Sequence, residues 1–111
     1  MLLKELIKNI DVVQMTGSGD MEIRGVTYDS RKALPGYLFV CIDGFATDGH
    51  LFAQQAVDNG ATALVVQKDV SIIGEAAIIK VPDTREALAA ISAEWFGHPS
   101  KNMTLIGITG T

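Results

Sequence analysis

Apolar residues open the chain at helical spacing: Leu2, Leu3, Leu6, Ile7 and Ile10 fall on one side of a helix. The spacing predicts a short amphipathic helix there. Val12-Val13 opens a strand, and Gly17-Ser18-Gly19-Asp20 is a turn. Ile23, Val26 and Tyr28 lie in a strand-like segment that ends at Asp29-Ser30-Arg31. Pro35-Gly36 is a strong turn signal. Tyr37 to Ile42 is apolar throughout, which predicts a strand near the centre of a sheet. Leu51 to Asn59 then reads as a helix with Phe52, Ala56 and Val57 on its inner face. Gly60 is placed to end it in a left-handed conformation.

The second half repeats the alternation. Ala63 to Val66 and Ala77 to Val81 are buried strands. Pro82-Asp83 ends the latter, and Asp83 with Glu86 three residues on is an acidic variant of a capping box. Leu88, Ile91 and Trp95 form the core stripe of the helix that follows, and Trp95-Phe96 pack against the sheet. Gly97-His98-Pro99 breaks the helix, and Thr104 to Ile108 forms a last strand. Strands alternating with helices predict an α/β fold, a three-layer α/β/α domain with a small mixed, largely parallel sheet. Gly97 to Asn102 reads as a linker, so residues 1–100 form the domain and 101–111 a linker and a strand belonging to something else.

Composition narrows the classes. At 111 residues the chain is one domain, and 48% hydrophobic content supports a real core. Nine basic against thirteen acidic residues, a net charge of −4, give no general attraction to nucleic acid or anionic membranes. One cysteine, Cys41, forms no internal disulfide and fits a reducing compartment. No apolar run approaches the roughly 20 residues needed to span a bilayer. The N-terminus carries no signal-peptide pattern. The expectation is a cytoplasmic domain that binds neither nucleic acid nor membrane.

Two segments could carry chemistry. Tyr28-Asp29-Ser30-Arg31 offers a hydroxyl, a carboxylate and a guanidinium at a strand end; Arg31 can clamp a phosphate or carboxylate. By itself the stretch reads more readily as an Asx-type turn, with Asp29 as a local partner for Arg31. The loop from Gly44 to His50 is the second. Its glycines let backbone amides approach a ligand, and loops at the carboxyl ends of strands commonly make the site of an α/β fold. Both segments follow strands and could meet at one edge. Against this, Asp48-Gly49 reads as a turn and His50 as a helix cap. Cys41 is inert core, Asp83-Thr84-Arg85 is helix-start chemistry, and His50, His98 and Cys41 have no metal-ligand spacing.

In order along the chain stand D-S-R (29–31), P-G-Y-L-F (35–39), D-G-H (48–50), G-A (60–61), D-T-R (83–85) and G-I-T-G-T (107–111). This ordered set, from about residue 23 onward, resembles the N-terminal domain of the Mur ligase family. The GHPS segment and the terminal G-T favour the MurE branch, the UDP-N-acetylmuramoyl-tripeptide synthetases, with the MurF branch as runner-up. A free-standing nucleotide-binding module and a purely structural domain are the alternatives outside the family. In the family the last strand runs into G-T-N-G-K-T/S, the loop that holds the ATP phosphates. The resemblance thus implies a chain cut at the entrance to the ATP domain, with Gly110 and Thr111 as the partial loop.

The resemblance further implies what the whole enzyme does. It would phosphorylate the D-Glu carboxylate of UDP-N-acetylmuramoyl-L-alanyl-D-glutamate with ATP and magnesium. It would then join that carboxylate to meso-diaminopimelate or L-lysine, in peptidoglycan synthesis. These residues would hold no catalytic group, metal or cofactor of their own, and would work together with central and C-terminal domains of the same chain. Their implied task is to anchor the UDP end of the substrate. Ser30 matches the serine that binds the UDP portion, and Tyr28 stands where relatives line the uracil pocket. Phe45, Ala46 and Thr47 match the loop whose backbone meets the uracil edge. Arg31, Asp48 and His50 are weaker candidates, the last two as loop-shaping residues.

Overall fold

A computed structural model of the chain describes residues 1–43 and 48–97. The elements in order are α1 (Leu3–Leu6), β1 (Gln14–Thr16), β2 (Gly25–Thr27), β3 (Tyr37–Val40), α2 (Ala53–Asp58), β4 (Ala63–Val66), β5 (Ala77–Lys80) and α3 (Thr84–Phe96). Two single 3-10 turns, Ser30–Lys32 and Gly49–Phe52, follow β2 and precede α2. The expected last strand and linker lie outside the described residues.

The five strands form one sheet in the order β1-β5-β4-β3-β2. β2, β3, β4 and β5 are parallel neighbours, and β1 closes the far edge antiparallel to β5. Pairing is in step across the middle: Phe39 lies opposite Leu64, and Leu64 opposite Ile78. β3, the first four residues of the apolar run Tyr37 to Ile42, is therefore an interior strand, as its composition demands. The middle position belongs to β4, all four of whose residues are buried.

Alternation along the strands feeds two separate cores. Leu38, Val40, Ala63 and Val65 point to one face, where α1 and α3 cover them with Leu3, Leu6, Ala87 and Ile91. Phe39, Cys41, Leu64 and Val66 point to the other, against Ala53 and Ala56 of α2. The result is the expected three-layer α/β/α arrangement with a mixed, largely parallel sheet.

Three local expectations are corrected. Val12 and Val13 are exposed and β1 starts at Gln14, although Val13 N–H already donates to the Lys80 carbonyl at 2.7 Å. Phe52 lies on the outside of its helix: the first turn is 3-10, which advances each side chain further round the axis than an α turn and leaves Ala53 facing the core. Phe96, in the last turn of α3, is exposed, so Trp95 alone of the pair packs inward. Asp83 caps α3 as expected, accepting from Arg85 N–H at 2.8 Å and Glu86 N–H at 3.4 Å.

Gly60 adopts φ +115°, and a Cβ there would lie 2.7 Å from the backbone of Pro35. It brings the end of α2 against the Pro35-Gly36 turn, where the Gly36 N–H donates to the Gly60 carbonyl at 3.1 Å.

Candidate substrate cleft

A cleft of ≈ 630 Å³ opens at the C-terminal ends of β2 and β3. Tyr28, Ser30 and Arg31 line one side, and Gly49, Phe52 and Gln55 the other. The two segments singled out in the sequence thus meet at one sheet edge. The four parallel strands follow one another without a reversal of order, so the cleft obeys the carboxyl-end rule without a topological switch point. Phe45, Ala46 and Thr47 lie outside the described residues.

The segment after β2 is fixed by its own side chains. Thr27 Oγ1 accepts from Asp29 N–H at 3.0 Å, and Asp29 Oδ1 accepts from Arg31 N–H at 2.9 Å. Arg31 forks onto the same carboxylate through Nε and Nη2, both at 3.1 Å. That local pairing, one of the two partners open to Arg31 in the sequence, holds the Asp29 carboxyl below the usual range. Arg31 remains largely exposed, and its second terminal nitrogen has no partner among the described residues.

Ser30 sits at the floor, 7% exposed. Its hydroxyl donates to Gln55 Oε1 at 3.0 Å, and its carbonyl accepts from Asn59 Nδ2 at 2.9 Å. Tyr28 is two-thirds exposed and projects beside it, bordering both this cleft and a second hollow of ≈ 350 Å³ toward Leu88 and Phe96. Phe52, Gln55 and Asn59 were not identified as site residues in the sequence. Gln55 and Asn59, four residues apart, share a helical face, but no local signal ties that face to Ser30.

Asp48 and His50 shape the opposite loop. Asp48 Oδ1 accepts from His50 N–H at 2.9 Å and lies 2.7 Å from His50 Nδ1. His50 Nε2 accepts from Gln67 N–H at 3.0 Å, which places the ring proton on Nδ1. Gln67 Oε1 in turn accepts from both the amide and the hydroxyl of Thr84, each at 3.0 Å. A polar chain therefore runs from the loop, past the end of β4, to the first turn of α3. With both ring nitrogens engaged, His50 is a strut, and the cap of the 3-10 turn is Asp48. Lys68 pairs with Asp48 Oδ2 and drives its carboxyl well below the usual range, the His50 N–H contacts adding to this against the opposing effect of burial.

Gly49 carries its own constraint. Its N–H donates to the Ile42 carbonyl at 2.7 Å, and a Cβ would meet the Ile42 backbone at the same distance. Only glycine permits this approach. Cys41 is fully buried, and burial, with a smaller contribution from Asp48, pushes its thiol up to about 12. Among the described residues no group of three His, Cys, Asp or Glu side chains could hold a metal ion, and no helix is long and apolar enough to cross a membrane.

Known proteins resemble this chain in sequence and in fold. The UDP-N-acetylmuramoyl-L-alanyl-D-glutamate–2,6-diaminopimelate ligase of Syntrophomonas wolfei is 47% identical over all 111 residues, which are 23% of that protein. The protein of the same name from Clostridium perfringens is 45% identical over the same span, again 23% of its length. The chain thus spans about a quarter of these relatives. Among solved structures, a crystal structure of MurF from Acinetobacter baumannii matches with a TM-score of 0.68 and 29% identity, over 84% of this chain and 20% of that one. MurF from Thermotoga maritima in complex with ADP matches with a TM-score of 0.58 and 28% identity, over 70% of this chain and 18% of the other. The sequence pattern of the Mur ligase family, catalytic domain, matches residues 22–96. That span holds every described wall of the cleft, and by it the chain belongs to the Mur ligase family.

Proposed function

We propose that this chain is the substrate-anchoring domain of a MurE-type ligase, holding the UDP end of UDP-N-acetylmuramoyl-L-alanyl-D-glutamate. The observation that carries this reading is the cleft at the ends of β2 and β3, where Tyr28, Ser30 and Arg31 converge. Its volume suits a nucleotide-sized ligand. Tyr28 offers an exposed ring to the uracil face. Ser30 offers a fixed hydroxyl, and the side of the Arg31 guanidinium turned from Asp29 offers donors to a phosphate. The segment Phe45 to Thr47, which comes after β3 in the sequence, would meet the uracil edge with its backbone.

In this reading the whole ligase uses ATP and magnesium to activate the D-Glu carboxylate and joins it to an amine in the cytoplasm, during peptidoglycan synthesis. Gly110 and Thr111, the expected start of the ATP loop, lie outside the described residues. The chain's own residues bind and orient one end of the substrate. Remote binding energy of that kind is realised as positioning at the distant reacting carboxylate. The relatives' names favour 2,6-diaminopimelate as the amine. The identity of the MurE-named relatives exceeds that of the MurF structures, 47% against 29%, and favours the MurE branch.

Ser30→Ala in the full-length ligase tests this. The expected result is a rise of up to about tenfold in KM for the UDP-linked substrate, with KM for ATP unchanged. An unchanged KM for the UDP-linked substrate would remove Ser30 from the site.

A further inference from the structure

We infer that Gln55 is a positioning residue that fixes Ser30 as a hydrogen-bond acceptor toward the ligand. The inference rests on the cleft being the site of the UDP portion. A serine hydroxyl has one proton and two lone pairs. The Ser30 proton is committed to Gln55 Oε1 at 3.0 Å. The residue cannot easily turn away, because its carbonyl accepts from Asn59 Nδ2 at 2.9 Å and from Ala33 N–H at 3.3 Å. Gln55 lies within α2 and Asn59, four residues on, caps its C-terminus, so the helix grips Ser30 at side chain and backbone together.

An oxygen presenting only lone pairs recognises a donor. In a uridine nucleotide the donors are the imide N–H of the base and the ribose hydroxyls. A phosphate oxygen is an acceptor and gains nothing from such a group. Donors for phosphate are carried instead by Arg31, next along the chain and on the wall of the same cleft. The nucleoside therefore belongs at the cleft floor, over Ser30, and the diphosphate toward Arg31.

The test is kinetic, on the full-length ligase, with Gln55→Glu, Gln55→Met and Ser30→Ala/Gln55→Met beside the wild type and Ser30→Ala. A glutamate at position 55 still accepts the Ser30 proton; a methionine of similar length does not. Inhibition by uridine is measured alongside, since it carries no phosphate for a carboxylate to repel. The expected result is that Gln55→Glu keeps the uridine inhibition constant within about threefold, while Gln55→Met raises it, and KM for the UDP-linked substrate, about tenfold. KM for ATP stays unchanged, and the double variant is no worse than Ser30→Ala alone. Gln55→Glu as damaging as Gln55→Met, or additive losses in the double variant, would overturn the inference. Wild-type enzyme that uridine does not inhibit would overturn the reading of the cleft itself, and this inference with it.

Discussion

Asp48 binds His50 twice, through backbone N–H at 2.9 Å and ring Nδ1 at 2.7 Å, and Lys68 holds the other oxygen of the same carboxylate. The folded carboxyl is depressed relative to the unfolded one, chiefly by Lys68. Its contribution to stability is therefore fully present above the unfolded value, about 4, and is lost as pH falls through the lower folded value. Asp48→Asn is expected to flatten the acid limb of the stability curve below about pH 4. Lys68→Met does so in part. Thermal melts between pH 2 and pH 6 check this; parallel acid limbs for wild type and Asp48→Asn would refute it. Added salt weakens the effect, because Lys68 is half exposed.

Gly60→Ala is expected to destabilise the domain by about 2 kcal/mol or more. Two costs add: the positive φ, and a Cβ against the Pro35 backbone, which cannot move aside as a side-chain tip could. Urea unfolding measures this, and a loss under 0.5 kcal/mol would show that the turn relaxes.

Cys41 is expected to resist thiol reagents in the folded protein at pH 8 and to react on unfolding. Its thiol is buried and pushed up to about 12, so almost no thiolate exists. Labelling across a urea titration should follow the unfolding curve. Cys41→Ser is expected to leave UDP-substrate binding nearly intact, since the side chain faces the core beneath α2.

Tyr28→Ala is expected to separate binding from folding. The ring is 66% exposed, so stability should change little. Loss of base stacking should weaken a uridine nucleotide about tenfold. Titration of the full-length ligase and a thermal melt of the same variant give the two numbers; equal affinity would take Tyr28 out of the uracil pocket.

Much of this was legible in the chain. Strands rich in Val, Ile and Leu, the Pro35-Gly36 turn, the Gly60 stop and the Asp83 cap are local signals, and each stands where the residues put it. The meeting of Tyr28–Arg31 with Gly49 followed from both segments leaving parallel strands at the same end. Gln55 and Asn59 were hidden because their partner, Ser30, lies 25 and 29 positions away. Such contacts have no sequence period. Phe52 misled because its hydrophobicity was read at α spacing, whereas the backbone there takes the tighter 3-10 turn.

The grip of α2 on Ser30 has a further consequence. The layer beneath α2 is the slighter of the two cores, and four of its eight buried residues are alanines, Ala33, Ala53, Ala56 and Ala61. A six-residue helix on so small an apolar base belongs to the part of a fold that opens locally before the rest. Each such excursion would release the Ser30 hydroxyl and leave its carbonyl with the Ala33 N–H alone. Occupancy of the cleft and amide-exchange protection of Ala53–Asp58 would then be one equilibrium, read from either end.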